Sequence, residues 1–414
     1  MGDIEKSRMK NYNIFTLPNG LRCVHLRTQS HVAYIGLAVN AGSRDESSDK
    51  QGLAHFVEHT IFKGTRRRSS WHVSNRMESI GGELNAYTSK EETLIYTNAP
   101  SGHAERAIEL LADLVAGSSF PAVEIEKERD VVIEEIHSYQ DSPSDSVYDI
   151  FDDMLYSGSG IGHNILGTPE SVRGLSGTDC RGFIEDFYVP GNMVLYAASP
   201  DEERVIERLA NKYFGALHLA GKPKNRQNPP MNRPFSEIIE RDGHQAHTII
   251  GARTFGRDDD RRFALFLLNN FLGGPCMNSR LNQELRERRG YVYTVDSSVA
   301  LLSDAGAILI YFGSDRATVE KCIKIVRREL EKLAESPMKP GVFDKIRRQY
   351  AGQLLVSSDH RESMAMSMGK SLLYYNEIHD VEWTTERILS VRPEEVRAMA
   401  EMLAPDILSR LTLC

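Results

Sequence analysis

Two histidines and a glutamate lie within one short segment of the chain, the run His-Phe-Val-Glu-His at residues 55–59. The segment has the spacing of an amphipathic helix, so His55 and His59 stand one turn apart on one face, with Glu58 beside them. Two neutral imidazoles this close can chelate one divalent ion, and the carboxylate can take a proton from a water molecule that the ion binds. The order His-x-x-Glu-His inverts the commoner zinc-peptidase motif and predicts a metal-activated hydrolase.

A catalytic zinc ion needs a third protein ligand and one position for water. Segment 124–140 is rich in carboxylates and predicts a helix on which Glu128 and Glu135 lie two turns apart along one stripe. Glu134 points about 100° away from Glu135 around the helix axis. One of these adjacent acids can therefore face the metal while the other faces solvent, and the spacing alone leaves open which one does so.

The composition limits the classes of protein to which the chain can belong. Of its 414 residues, 41% are hydrophobic and 26% are charged, as in globular proteins, and the length predicts two or three domains. No apolar run reaches the roughly 18 residues of a membrane span, so no membrane segment is expected. The net charge of −8 argues against nucleic acid as a partner, because a phosphate backbone requires a basic surface.

The cysteines and the first residues bear on the location of the protein. The five cysteines are scattered and never have Cys-x-x-Cys spacing, which is typical of free thiols in a reducing cytosol. Segment 1–11 mixes acidic and basic residues without an apolar stretch, which argues against a secretory signal and a mitochondrial transit peptide. We therefore expect a cytoplasmic protein.

The two halves of the chain follow the same order of predicted elements, with a period of about 215 residues. In each half, a strand that ends in a polar turn precedes a helix, a pair of strands and an amphipathic helix. The strands and turns lie at 31–45 and 247–260, and the amphipathic helices at 103–114 and 317–333. A period this long indicates a duplicated domain. The counterpart of the histidine helix, at 268–274, has no histidine, so only the first half can bind the ion.

The predicted fold class is α+β, with two tandem homologous domains, each a mostly antiparallel sheet covered by helices on one face. Residues 1–219 form the predicted metal-binding catalytic domain, and residues 236–414 form the second domain. Between them, segment 220–235 is rich in proline and polar residues. Proline at this density blocks helix and strand alike, so this segment is the predicted linker.

Four segments, in order and at matching spacings, carry a resemblance that covers nearly the full chain. They are 55–65, 81–88, 128–136 and 281–293. The chain resembles the pitrilysin/insulinase-type inverzincin zinc metallopeptidases, above all their short two-domain members, which include the mitochondrial processing peptidase β-subunit and bacterial homologues. The four segments are similar to the family's zinc helix, substrate-edge strand, third-ligand helix and C-terminal substrate motif, in that order.

The resemblance implies a role for each matching residue of the metal centre. His55, His59 and Glu135 would hold one Zn²⁺ ion per chain. Glu58 would be the general base. Glu128 would orient a ligating histidine through the other nitrogen of its ring.

The resemblance also implies how the substrate is bound. Arg286 and Tyr293 match an Arg–Tyr pair that reaches from the second domain towards the scissile carbonyl group. Asn85 and Ala86 match the strand edge that pairs with an extended peptide. The expected activity is zinc-dependent hydrolysis of peptides or unfolded segments inside a chamber, which two copies of the chain would close as a homodimer. The same resemblance implies a bacterial origin.

Three alternatives remain open at the level of the sequence. The chain could be a processing peptidase that removes leader or targeting segments, because specificity depends on the shape and charge of the chamber. It could be a noncatalytic assembly subunit, although such a subunit is expected to have lost the metal-site residues that this chain retains. It could also be a zinc subunit that is active only beside an α-type partner.

Overall fold

The computed structural model of the protein describes residues 12–217, 221–231 and 233–414. The predicted absence of a targeting segment concerns residues 1–11 and lies outside the described residues. The chain divides into two compact units. The first unit contains the described residues up to Ile136, together with Asn164–Arg226 and Ser358–Asp380. The second unit contains His137–His163, Gln227–Ser357 and Val381–Cys414.

The strands, in chain order, are β1 (Tyr12–Thr16), β2 (Arg22–Arg27), β3 (Val32–Val39), β4 (Glu83–Thr88), β5 (Thr93–Pro100), β6 (Met193–Ser199), β7 (Ser236–Ile239), β8 (Gln245–Thr254), β9 (Val292–Leu301), β10 (Gly306–Asp315) and β11 (Ser409–Leu413). The α-helices are α1 (Leu53–Ile61), α2 (Ser70–Glu78), α3 (Ala104–Gly117), α4 (Ala122–Gln140), α5 (Pro143–Leu155), α6 (Pro169–Gly174), α7 (Gly177–Phe187), α8 (Glu203–Phe214), α9 (Arg262–Gly273), α10 (Val319–Glu335), α11 (Pro340–Ser357), α12 (Arg361–Tyr375), α13 (Val381–Ser390) and α14 (Pro393–Glu401). Short 3₁₀ turns occur at Ser43–Asp45, Pro190–Asn192 and Arg316–Thr318, and a π-helical turn at Asn282–Glu287.

The first unit is built on a six-stranded sheet in the order β1-β2-β6-β3-β5-β4. The β2–β6 pair is parallel and the other pairs are antiparallel. Helices α1, α3 and α7 pack on one face, where Phe56 and Ile61 of α1 are fully buried beside Leu37 of β3. This face therefore holds the predicted metal helix against the sheet.

The second unit repeats the same plan on a five-stranded sheet in the order β7-β11-β8-β10-β9. The β7–β11 pair is parallel and the others are antiparallel, as in the run β2-β6-β3-β5-β4 of the first sheet. The shared order and the matching parallel pair confirm the predicted duplication. The predicted fold class, α+β with mostly antiparallel sheets, is confirmed.

Each sheet also carries one helix on the face opposite the predicted helix layer. Helix α12 covers the second face of the first sheet, where its Met368 and Leu372 pack against Tyr196 of β6. Helix α5 covers the second face of the other sheet, where Phe151 packs near Ile249. Every residue of β6 is buried, and a strand buried on both sides needs a layer on each face.

The domains predicted at 1–219 and 236–414 are contiguous, whereas the compact units exchange the two segments that contain α5 and α12. Residues 137–163, with α5, belong to the second unit, and residues 358–380, with α12, belong to the first. The predicted linker 220–235 is also divided. Arg226 forms an ion pair with Asp45 at 2.6 Å in the first unit, whereas the Pro230 carbonyl accepts a hydrogen bond from Arg253 in the second.

Among the described residues, none of the helices combines the length and the apolar character needed to cross a bilayer.

Candidate metal centre

The start of helix α1 is held by a carboxylate and by a glycine. Glu46 accepts hydrogen bonds from the backbone N–H groups of Gly52 at 2.8 Å and Ala54 at 2.7 Å, which are free at a helix N-terminus. Gly52 has a φ of 89°, and a Cβ there would stand 2.5 Å from the Leu166 carbonyl oxygen. These contacts fix the position of the helix that carries the two predicted histidine ligands.

The three predicted metal ligands come together. His55 and His59 lie one turn apart on α1, with ring centroids 4.6 Å apart, and Glu135 reaches them from α4. The Glu135 Oε2 atom is 3.7 Å from the His55 Nε2 atom and 3.4 Å from the His59 Nε2 atom. One donor atom from each residue lies within 4.8 Å of the other two. Within the part of the chain that the structure describes, this is the one such group of potential ligands.

The donor set fits a zinc ion. Ligands in a tetrahedral site at roughly 2.0–2.1 Å from zinc are about 3.3 Å from one another, close to the separations that Glu135 has from both rings. Burial and the neighbouring His59 lower the pKa of His55 to about 3, so its ring is neutral at neutral pH. A neutral imidazole has the free lone pair that a metal ion requires. These three residues would hold the ion.

The adjacent acids Glu134 and Glu135, which the sequence could not rank, face different environments. Glu134 is exposed, whereas Glu135 is only partly exposed and lies against both histidines. The structure therefore brings Glu135, and not its neighbour, to the metal centre.

Glu128 lies where the resemblance places an orienting carboxylate. Its Oε2 atom is 3.3 Å from the His59 Nδ1 atom, so Nδ1–H can donate to it and leave Nε2 free for a metal ion. Lys63 forms an ion pair with the other carboxylate oxygen at 2.7 Å. Lys63 is a further residue of this site that the sequence did not reveal, because it follows the end of α1 and meets Glu128 only in the folded unit.

Glu58, the predicted base, lies on α1 within electrostatic reach of His59 and of Glu135. Burial raises the pKa of its carboxyl group, and hydrogen-bonding groups of Thr88 in β4 counter part of this rise. A carboxylate with a raised pKa is a better proton acceptor than an exposed one, as a general base requires. Helix α1 packs against β4, so the base lies next to the predicted substrate strand.

Asn85 and Ala86 lie in β4, at the outer edge of the first sheet. Strand β4 pairs with β5 on one side, and no strand of the described residues pairs with its other side. In an antiparallel pair, alternate residues direct their N–H and C=O groups away from the partner strand. Asn85 is exposed and Ala86 is partly buried, so this edge can accept an additional strand.

Arg286 and Tyr293 come together in the second unit. The Arg286 guanidinium lies 5.6 Å from the centre of the Tyr293 ring, and the Tyr293 side chain is largely exposed. Arg286 belongs to the π-helical turn and Tyr293 to the start of β9. Their predicted reach towards a substrate bound in the first unit stays a prediction.

Comparison with known proteins identifies the family. The sequence profile described as "Insulinase (Peptidase family M16)" matches residues 22–169, and the profile described as "Peptidase M16 inactive domain" matches residues 174–350. An uncharacterized zinc protease of Streptomyces coelicolor is 35% identical over 95% of this chain and 87% of its own length. The uncharacterized zinc protease YmxG of Bacillus subtilis is 31% identical over 94% of this chain and 95% of its own length.

Solved structures share the fold at lower sequence identity. A protease from Helicobacter pylori superposes with a TM-score of 0.90 at 22% identity and covers 98% of this chain and 100% of its own. An M16-like peptidase from Alicyclobacillus acidocaldarius superposes with a TM-score of 0.86 at 21% identity, covering 97% of this chain and 98% of its own. The predicted resemblance is confirmed, a peptidase role is supported, and the chain belongs to peptidase family M16.

Proposed function

We propose that the chain is a zinc-dependent endopeptidase that cleaves peptides or unfolded segments of proteins. The observation that carries this proposal is the convergence of the donor atoms of His55, His59 and Glu135 near the partly buried carboxylate of Glu58. The names of the curated relatives, which describe zinc proteases, support both the metal and the type of reaction.

The side chains of the site have distinct tasks in this proposal. His55, His59 and Glu135 hold the ion, and zinc in such a site acidifies a water molecule and polarises a carbonyl group. Glu58 accepts the proton of the attacking water and later gives it to the leaving amine. Glu128 keeps the His59 ring in the tautomer that leaves Nε2 without a proton.

The substrate is proposed to bind as an added strand along β4. Its backbone would form hydrogen bonds with the edge at Asn85 and Ala86, and its side chains would enter pockets on alternate sides. Only an extended segment can bind in this way, so the proposal excludes peptide bonds inside folded domains. Arg286 and Tyr293 are proposed to stabilise the negative charge that develops on the scissile carbonyl oxygen.

The quaternary structure and the location belong to the same proposal. We propose that two copies of the chain form a homodimer in the cytoplasm, which follows from the resemblance to the short members of the family and from the scattered free cysteines. The mass of the purified protein in solution, measured by light scattering, tests the first part. A monomer with full activity, or activity only beside a second type of chain, would contradict it.

A comparison of native and denatured substrate tests the endopeptidase proposal. The protein is incubated with one small protein in its folded form and in its reduced, alkylated form, and the fragments are identified by mass spectrometry. We expect internal cleavage of the unfolded form alone, lost in the matched variant Glu58→Gln. Equal cleavage of both forms, or equal rates for the variant, would contradict the proposal.

A peptide library then separates broad cleavage from the selectivity of a leader-processing enzyme.

A further inference from the structure

A buried carboxylate lies two residues before Arg286, in the same π-helical turn. The side chain of Glu284 is 3% exposed, and the turn Asn282–Glu287 contains both residues. π-Helical turns are rare and are less favourable than α-helix, so their presence requires local support. The contacts of Glu284 provide that support.

The guanidinium of Arg289, two residues after the turn, binds Glu284 in the middle of the turn. It donates to a Glu284 carboxylate oxygen at 2.7 Å and to the backbone carbonyl of the same residue at 2.5 Å. The backbone N–H of Arg288 donates to the Gln283 carbonyl, five residues back, as in a π-helix. The Arg289 side chain thus satisfies the backbone carbonyl oxygen of Glu284 within the π-helical turn.

Glu284 also connects the turn to the neighbouring helix. The Arg288 side chain donates to its other carboxylate oxygen at 2.5 Å, and Arg280 approaches the same oxygen at 3.7 Å. Arg280 in turn donates to Glu329 of α10 at 2.6 Å, and the Glu329 side chain is only 2% exposed. Neighbouring arginines hold the pKa of Glu284 below its usual value, chiefly through the hydrogen bond from Arg289, so this carboxylate is ionised at neutral pH.

Arg286 stands apart from this network. Its side chain is 40% exposed. Among the described residues, its one ion-pair partner is Glu287, whose Oε1 atom is 4.0 Å from the Arg286 Nε atom. Its guanidinium lies instead near the Tyr293 ring. Among the arginines of this short segment, Arg288 and Arg289 are engaged by Glu284, whereas Arg286 projects towards solvent and Tyr293.

We propose that Glu284 is a positioning residue that fixes the π-helical turn and thereby presents Arg286, beside Tyr293, to the substrate. The inference rests on the proposed function, because it gives Arg286 a task in peptide hydrolysis. Glu284 itself does not contact the substrate. It acts by engaging Arg288 and Arg289 and by setting the backbone from which Arg286 extends.

A double-mutant cycle tests this role. Glu284→Gln keeps the shape of the side chain and removes its charge, and we expect kcat/KM to fall about tenfold or more, as small misplacements of a positioned group do. In an Arg286→Gln background the same change is expected to reduce kcat/KM less than twofold, because the group it positions is already absent. The matched control Glu331→Gln, an exposed acid on α10, is expected to leave kcat/KM unchanged.

The inference would be overturned if the kcat/KM losses of Glu284→Gln and Arg286→Gln multiplied in the double variant. A wild-type kcat/KM in Glu284→Gln would overturn it as well. The zinc content of Glu284→Gln is expected to equal that of the wild-type protein, since the metal ligands lie in the other unit. This outcome separates the two proposals. If the wild-type chain had no zinc-dependent activity, the proposed function would be contradicted, whatever the Glu284 variants showed.

Hydrogen–deuterium exchange gives a readout that does not depend on activity or on a complete set of kinetic constants. In folded Glu284→Gln, the backbone amides of residues 282–293 are expected to exchange at least tenfold faster, while Glu331→Gln keeps the wild-type pattern. Arg289→Gln, which keeps the Glu284 carboxylate and removes the carbonyl contact, is expected to accelerate the same amides. Unchanged exchange in both variants would overturn the inference. If Glu284→Gln does not fold, unchanged exchange in Arg289→Gln alone would overturn it.

Discussion

At the residue scale, the direction of a single side chain decides between Glu134 and Glu135. Consecutive residues on a helix point about 100° apart, and Glu135 is the one that lies within 3.4 Å and 3.7 Å of the histidine Nε2 atoms. The sequence limited the third ligand to this adjacent pair. It could not rank them, because the rotation of α4 about its axis depends on packing with the rest of the unit.

Zinc content tests this assignment. We expect Glu135→Gln to purify with much less than one zinc ion per chain, because a neutral amide is a poor ligand for zinc. The matched variant Glu134→Gln is expected to keep the wild-type zinc content, since that side chain is exposed and is not among the converging donors. Metal analysis by mass spectrometry measures both. The opposite order of zinc contents would show that the ligand is Glu134.

The general base gives a second prediction at the residue scale. Glu58→Gln preserves the shape of the side chain and leaves the three ligands in place, so its zinc content is expected to match that of the wild type. Its kcat is expected to fall roughly 10²–10⁴-fold, because the amide cannot accept a proton. Steady-state kinetics on a peptide substrate measures this effect. A variant with wild-type kcat would require another base.

At the element scale, helix α12 packs closely on the second face of the first sheet. The Tyr196 ring fits between β3 and this helix because both present a glycine to it, Gly36 and Gly369. A Cβ at Gly369 would stand 2.4 Å from a ring carbon of Tyr196. The sequence did not reveal this contact, because an apolar helix does not specify which sheet it covers.

The same contact predicts a difference between two glycine variants. Gly369→Ala is expected to destabilise the protein by about 1–3 kcal/mol, because the added methyl group has no space beside Tyr196. Gly352→Ala, in α11, has no atom within 4 Å of the new Cβ and is expected to stabilise by about 0.4–1 kcal/mol. Urea denaturation of both variants measures the difference. Equal stabilities would mean that α12 packs differently.

The elements around the metal centre were the more predictable part of the fold. The period of the apolar residues predicted α1, α3 and α10 to within a few residues. Strand β4 was predicted as one of a pair of strands, and its place at the edge of the sheet followed from the resemblance. The supporting contacts of Glu46 and Lys63 were not predicted, because they depend on loops and side chains that meet only in the folded unit.

At the scale of the whole molecule, the two sheets share their strand order over five strands, and each is covered on its second face by a helix from the other half of the sequence. The duplication was predictable from the repeated order of elements. The exchange of helices was not, because both halves contain apolar helices of similar length and the sequence gives no pairing rule between helix and sheet.

This exchange predicts that the first half of the chain is not an independent domain. A fragment of residues 1–226 lacks α12, so the apolar side chains Val24, Leu26 and Leu94 on the second face of its sheet would be uncovered. We expect it to aggregate and to bind a hydrophobic dye. Coexpression of segment 358–380 is expected to restore a monodisperse fragment. A fragment that unfolds cooperatively without that segment would contradict the expectation.

The central claim is that His55, His59 and Glu135 bind one zinc ion that peptide hydrolysis requires. The most direct measurement is the zinc content of the purified full chain, recorded together with its rate of peptide hydrolysis before chelation, after chelation and after zinc is returned. We expect about one zinc ion per chain. We also expect activity to be lost with the metal and to return with zinc, but not to return in Glu58→Gln. Full hydrolysis by a chain without bound metal would contradict this assignment.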